Sequence, residues 1–133
     1  MSRDKSIIEI LKESKTIAVV GMSKHPSKAA HRIPKYLKEV GYRVIPVNPT
    51  ADEILGEKAY KTLEDVPDQV DIVDIFRPSD QTPAIVKSAV KLNPKLIWLQ
   101  LGISNLESKE LAEDNKIHYV ENKCLMVEHR KIS

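Results

Sequence analysis

The chain has a single cysteine, Cys124, which excludes an internal disulfide and any Cys-x-x-Cys metal or redox pair. Aromatic residues are few, with one tryptophan, one phenylalanine and four tyrosines, and this disfavours a platform for stacked bases. No apolar run approaches the roughly 20 residues of a membrane-spanning helix. Met1–Lys5 is too polar and short to open a secretory signal, so the chain is expected in the cytoplasm and away from membranes. An excess of charge is missing too. Lys and Arg number 21 against 19 Asp and Glu, leaving +2, so no nucleic-acid partner is indicated and any basic work is local.

What remains is an ordinary globular composition, 41% hydrophobic and 30% charged over 133 residues, enough for one domain and one core. Along it, short apolar runs alternate with segments of helical period. Asp4 is placed to cap an opening helix whose Ile7, Ile8 and Leu11 share a face. The runs at 17–20, 42–47, 70–76, 96–101 and 117–120 read as five strands. Helices lie between them: one carrying Ile33, Tyr36, Leu37 and Val40 and stopped by Gly41, one with Pro83 in its first turn and Ser79 or Thr82 as cap, and one capped by Asn105. Thr62 and Asp65 mark one brief helical turn. The tail, 121–133, has no clear period. Right-handed crossovers then give an α/β, doubly wound, five-stranded parallel sheet of Rossmann-like type, with strand order 3-2-1-4-5.

In such sheets ligands sit beyond the carboxyl ends of the strands. Four of those ends, 21–24, 48–50, 76–79 and 100–102, carry polar, glycine or proline residues straight after apolar runs. One such residue alone only punctuates a turn; their coincidence points to a ligand. The first end, Thr16 to Lys24, runs four apolar residues into Gly21 and Ser23 and is expected to seat an anion on main-chain donors and a helix N-terminus. It is not a dinucleotide fingerprint. The turn reads Gly21-Met22-Ser23-Lys24-His25-Pro26, with one glycine where three are needed. Asn48-Pro49 stands where an acid would hold a ribose. A glycine-lysine-hydroxyl ending for a triphosphate is also missing. Ser23, Lys24, Lys28 and Arg32 are left to meet an anion, with Lys28 and Arg32 four apart on one helical face.

Several blocks resemble a known family. They are Ile17-Ala18-Val19-Val20-Gly21-Met22-Ser23, the stretch from Gly41 through Val44-Ile45-Pro46-Val47-Asn48-Pro49, the strand Val70 to Arg77, and Trp98-Leu99-Gln100-Leu101-Gly102-Ile103, with Cys124, Glu128 and His129 in the tail. Together they resemble the stand-alone, Rossmann-type coenzyme A-binding proteins, which are similar to the nucleotide-site domain of the succinyl-CoA synthetase alpha subunit and of ADP-forming acyl-CoA synthetases. Lys28 and Lys123 stand where the family has arginine, and lysine keeps the charge without the fork.

The resemblance implies coenzyme A as the cofactor and coenzyme A or acyl-CoA as the partner, with its pyrophosphate at Gly21, Met22, Ser23 and Lys24 and with Lys28 and Arg32 nearby. It implies that Val47, Asn48 and Pro49 line the adenosine side. Phe76, Arg77 and Pro83 would flank the nucleotide or pantetheine, and Leu99, Gln100, Leu101 and Gly102 would form a floor. The expected role is a non-catalytic sensor or carrier; the alternative is an enzyme on CoA thioesters or an NAD(P)-linked oxidoreductase. A homodimer is compatible with either.

The chemistry-bearing residues outside this set are sparse. His25, His31, His118 and His129 show no metal-ligand spacing, and no metal is expected. Cys124, Glu128 and His129 are close enough in sequence to be drawn as a triad, although polar residues of an irregular tail are usually structural. If the tail folds over the pocket, the Cys124 sulfur approaches the thiol of coenzyme A; its ordinary alternative is a small buried hydrophobe. Asp71 and Asp74, in an otherwise apolar strand, are expected to cap loops or pair with Lys or Arg.

Overall fold

The computed structural model describes residues 6–132. Its first helix, α1 (Ile7–Glu13), starts with a reciprocal cap. Glu9 N donates to Ser6 Oγ at 3.1 Å and Ser6 N donates back to the Glu9 carboxylate at 3.3 Å, which satisfies two of the donors that a helix start leaves free. The expected cap, Asp4, lies outside the described residues. The chain then forms β1 (Thr16–Val20), α2 (Ala29–Glu39) and β2 (Arg43–Val47).

A short hairpin follows, β3 (Glu53–Ile54) and β4 (Glu57–Lys58). Leu55 and Gly56 turn it with φ of 54° and 77°, the two left-handed residues a tight hairpin needs. After a single 3₁₀ turn at Leu63–Asp65 come β5 (Ile72–Ile75), α3 (Thr82–Lys91), β6 (Leu96–Leu99), α4 (Leu106–Asp114), β7 (His118–Val120) and α5 (Leu125–Arg130). Asn105 caps α4, accepting from Ser108 N at 2.9 Å. Neither Ser79 nor Thr82 caps α3. A 3₁₀ turn at Ser79–Gln81 leads into that helix, and Thr82, its buried first residue, donates its hydroxyl to the Ser79 carbonyl at 2.8 Å.

The five main strands are all parallel, in the order β2-β1-β5-β6-β7. The fold is thus the α/β, doubly wound, Rossmann-like sheet expected, with the numbering distributed differently. The third position, outside β2, is taken by one parallel bridge between Tyr60 and Val47. The run at 70–76 pairs with β1 on the other side. Numbered as read from the sequence, the five strands stand in the order 2-1-3-4-5, so the run at 70–76 lies beside the first strand and not outside the second. No helix separates β2 from Tyr60, so the chain cannot build a full parallel partner there.

Helices cover both faces. Ile17, Val19, Met22, Ile72, Leu96 and Trp98 form one core under α1, α2 and α5. Ala18, Val73, Ile75, Ile97 and Leu99 form the other with Val86 and Ala89 of α3 and Ala112 of α4. Strands buried on both faces read as the largely apolar, Val-, Ile- and Leu-rich runs from which they were recognised. The switch in winding direction falls between β1 and β5, and the crevice beyond it lies at the ends of those strands.

Candidate functional site

At the end of β1 the chain turns on Gly21, whose φ is +82°. Gly21 N donates to Val47 O at 3.0 Å, tying the turn to β2. A Cβ at this residue would lie 2.6 Å from Phe76 O and 2.8 Å from Arg77 Cδ. Only glycine therefore lets the ends of β1, β2 and β5 meet here. Met22 points the other way and is wholly buried in the core.

Ser23 is fixed on three sides. Its amide donates to Ala30 O at 3.1 Å, its hydroxyl accepts from His25 N at 3.0 Å, and its carbonyl meets His31 Nδ1 at 2.8 Å. Pro34 explains the first of these bonds. A proline inside α2 has no N–H for the carbonyl four residues earlier, which is Ala30 O, and Ser23 N takes the place. The corner thus differs from the anion seat expected of it, because the amides of Gly21 and Ser23 are both engaged within the protein. Beside the corner lies the first turn of α2, where Lys28, as N-cap, makes no side-chain bond to the helix.

Beside that helix start a cavity of about 570 Å³ opens between α2, the ends of β5 and β6, and the tail. Lys28, Arg32 and Ile33 line it from α2. Phe76, Arg77 and Pro78 follow from β5, Gln100, Leu101 and Ile103 from β6, and Cys124 and Met126 from the tail. Its walls are largely apolar and its charged groups are cationic. Among the described residues, none of Lys28, Arg32 and Arg77 is paired with a carboxylate. Arg32 is braced by the Ser27 carbonyl, and Arg77 by Gln81 Oε1 at 3.0 and 2.8 Å from Nε and Nη2. Three uncompensated cations around an apolar hollow suit an elongated anion with an uncharged arm.

The other face of the sheet has a smaller recess of about 270 Å³, lined by Val20, Val47, Lys61, Thr62 and Ile85 among others. Asn48 stands between the two faces. Its Nδ2 donates to Met22 O at 2.8 Å, and its Oδ1 accepts from the amides of Thr50 and Ala51 at 2.8 and 3.0 Å. Its side chain is therefore spent on locking the corner.

The structure thus brings Lys28, Arg32, Phe76, Arg77, Gln100, Leu101 and Cys124 to one cavity and Val47 to a second. Gly21, Met22, Ser23 and Asn48 shape the corner between them. Lys24 and Pro49 are exposed. Pro83 and Gly102 line neither hollow; Ala84, beside Pro83, lines the smaller, and Gly102 N donates to Asn122 Oδ1 at 2.7 Å.

The tail supplies what the sequence left unread. Trp98 Nε1 donates to Lys123 O at 2.8 Å and Leu125 N donates to Gln100 Oε1 at 3.2 Å, so α5 is pinned to the end of β6. It runs beside α2, where His129 Nδ1 meets Tyr36 OH at 2.7 Å. Met126 and Cys124 become cavity wall in consequence. No triad forms: His129 is turned to Tyr36, Glu128 pairs with Lys131 at 3.1 Å, and burial lowers the His129 pKa.

The two strand aspartates part ways. Asp71 caps as expected, accepting from the amides of Lys15 and Thr16 at 2.8 and 3.1 Å and lying 3.8 Å from Lys95. Asp74 does not pair with a cation. It is wholly buried, and burial pushes its carboxyl up to about 7. Among the described residues no cluster of metal-ligating side chains occurs, and no helix is long and apolar enough to cross a membrane.

Residues 15–130, the sheet and both hollows included, match the model of a family described as the CoA binding domain. The chain belongs to the CoA binding domain family. Its relatives include the "uncharacterized protein YneT" of Bacillus subtilis, 37% identical over 123 residues that make up 92% of this chain and 91% of the relative. The structure of "cell-free ID.343" from Thermus thermophilus is 43% identical, with a TM-score of 0.90 over 93% of this chain and 94% of its own. An ADP-forming acetate–CoA ligase of Methanocaldococcus jannaschii is 35% identical over 77% of this chain, which corresponds to only 14% of the ligase. This member of the CoA binding domain family thus matches some relatives end to end and a small part of much longer ones.

Proposed function

We propose that the protein binds coenzyme A, or an acyl-CoA, across the carboxyl edge of its sheet and serves as a non-catalytic sensor or carrier. The observation that carries this is the 570 Å³ cavity, where three cations without carboxylate partners surround an apolar hollow in a member of the CoA binding domain family. Coenzyme A is such an anion, with its phosphates at one end and an uncharged pantetheine arm at the other. In this reading Lys28, Arg32 and the first turn of α2 face the phosphates. Phe76, Leu101, Ile103 and Met126 receive the arm, and the recess at Val47 takes the adenosine side. The non-catalytic part is supported by the polar inventory of the cavity: three cations, one amide and one thiol, with His129 engaged elsewhere.

The thiol gives the reading a chemical corollary. The arm ends in sulfur, and Cys124 lines the same cavity half-buried. With the disulfide of coenzyme A as oxidant, the Cys124 thiolate attacks one sulfur, forms a mixed disulfide with that half and releases the other half as a thiolate.

Isothermal titration with coenzyme A and with pantetheine tests the assignment. Arg32→Ala is expected to weaken coenzyme A by roughly ten- to a hundredfold, the worth of a hydrogen bond to a charged group, and to leave pantetheine nearly unchanged. Equal weakening of both ligands would contradict a phosphate contact. After incubation with coenzyme A disulfide, the intact mass is expected to gain one coenzyme A, and Cys124→Ser is expected to stay unmodified. An adduct on the serine protein would end the corollary.

A further inference from the structure

Behind the cavity lies a chain of three side-chain and main-chain groups that ligand contact alone does not require. Asp74 sits in the middle of the sheet, with Val19 of β1 and Trp98 of β6 as its cross-strand neighbours. Its Oδ1 accepts from Gln100 Nε2 at 2.6 Å, and its Oδ2 has no partner. Gln100, buried yet lining the cavity, uses its other end to accept from Leu125 N at 3.2 Å. Leu125 opens α5, and its neighbours Cys124 and Met126 are cavity wall.

A buried carboxyl with one unpartnered oxygen favours its neutral form, since an ionised oxygen there lacks both water and a donor. β1 and β6 offer it only apolar neighbours at that level, and α1 presents Ile10 and Leu11 to the same core. The titratable and charged groups of the covering helices are Glu9, Lys12 and Glu13 of α1, His31, Arg32, Lys35, Tyr36, Lys38 and Glu39 of α2 with Lys28 at its cap, and Glu128, His129 and Arg130 of α5 with Cys124 at its cap. None is hydrogen-bonded to Asp74. Desolvation and the Gln100 bond are the influences on its titration.

We propose that Asp74 is a proton-operated positioning residue for the cavity: while its carboxyl is neutral, Gln100 is left in place to hold the amide of Leu125, whereas ionisation draws Gln100 and a further donor or water toward Asp74, and so loosens that end of α5 and weakens the ligand. Relief of an ionised Asp74 requires water or a new donor to reach Oδ2, and Gln100 is what separates it from the cavity. An anionic ligand adds negative charge on the same side and so favours the neutral acid. By linkage, binding then draws a proton onto Asp74. The ligand part of this rests on the coenzyme A reading; the coupling of Asp74 to α5 does not.

Trp98 separates the two. It is the one tryptophan of the chain, a cross-strand neighbour of Asp74, and its indole holds Lys123 just ahead of α5. Its emission therefore reports this junction without any ligand. In the unliganded protein the emission is expected to titrate once between about pH 5 and pH 9, near the pH of the buried acid. Asp74→Asn, which keeps an acceptor for Gln100, is expected to abolish that transition. Gln100→Met removes the donor that favours the ionised form and is expected to move the midpoint upward. Identical profiles in wild type and Asp74→Asn, or an unmoved midpoint in Gln100→Met, would overturn the relay. The second variant serves also if the first does not fold.

Calorimetric titration with coenzyme A is the other arm. Wild type is expected to lose about tenfold more affinity than Asp74→Asn on going from pH 6 to pH 8.5, a comparison in which the titration of the ligand's own phosphate cancels. Equal pH dependence overturns the link to binding. Absence of coenzyme A binding by either protein, together with a Trp98 transition that depends on Asp74, refutes the ligand reading and leaves the relay standing.

Discussion

Gly21→Ala tests whether the corner of the sheet is as tightly knit as the geometry requires. The φ of +82° costs a residue with a Cβ roughly 1 to 2 kcal/mol. The contact is a separate matter. The new methyl would stand 2.6 Å from Phe76 O, a backbone atom that cannot rotate away. Phe76 is itself held, its N donating to Val20 O at 2.9 Å. Relief must therefore come from the ladder between β1 and β5, at a cost typical of an overfilled core, about 1 to 3 kcal/mol. Gly102 supplies the control, with a φ of +87° and nothing within 4 Å of its Cβ position. Gly102→Ala should show the conformational cost alone. Urea unfolding followed by Trp98 emission is expected to place Gly21→Ala below Gly102→Ala by about 1 to 3 kcal/mol. Displacement of Phe76 and Arg77 should in addition weaken coenzyme A. Equal losses of stability in the two variants would refute the close approach and the reasoning built on it.

Two further outcomes follow from the buried polar groups. The folded-state acid at Asp74 titrates at about 7 against an ordinary 3.8, so the folded chain holds a proton that the unfolded chain gives up. Stability from this group is complete below about pH 4 and is lost as pH rises through 7, by about 4 kcal/mol in all. Asp74→Asn should remove that slope between pH 5 and pH 8, as read by urea midpoints, and an unchanged slope would show that Asp74 is already ionised in the fold. Thr82 and Ser108, both buried, join α3 to α4 through hydroxyls 2.7 Å apart. Thr82→Val is expected to cost about 1 to 3 kcal/mol by stranding Ser108, and adding Ser108→Ala should recover part of it; simple additivity of the two losses would deny the coupling.

The strands were legible because a parallel sheet covered on both faces imposes an apolar requirement on nearly every residue of each strand, and Val70 to Phe76, apart from Asp71 and Asp74, and Leu96 to Leu101, apart from Gln100, satisfy it. The carboxyl edge was legible for a related reason: glycine, proline and asparagine cannot continue such a run, so its end is visible. The helix α5 was not. Six residues give less than two turns, too few for a period to show, and its position is set by Trp98 and Gln100 across the sheet, not by its own sequence. Cys124 could be named while Met126 could not, since the wall they share exists only after α5 has docked. Asp74 misled for the opposite reason. A carboxylate in a strand suggests a cation nearby, and burial offers the second solution, keeping the proton.

Pro34 carries the least expected lesson. Read along the chain it only restricts where α2 begins. In three dimensions its missing amide frees the Ala30 carbonyl, and that carbonyl captures Ser23 N. The turn after β1 is thereby tied back onto the helix at Ser23, whose amide is no longer free for a ligand. One proline several residues downstream thus removes a donor that the motif reading gave to the glycine turn. Local motif reading misses such a loss because the hydrogen bond that causes it is defined by a group the residue lacks.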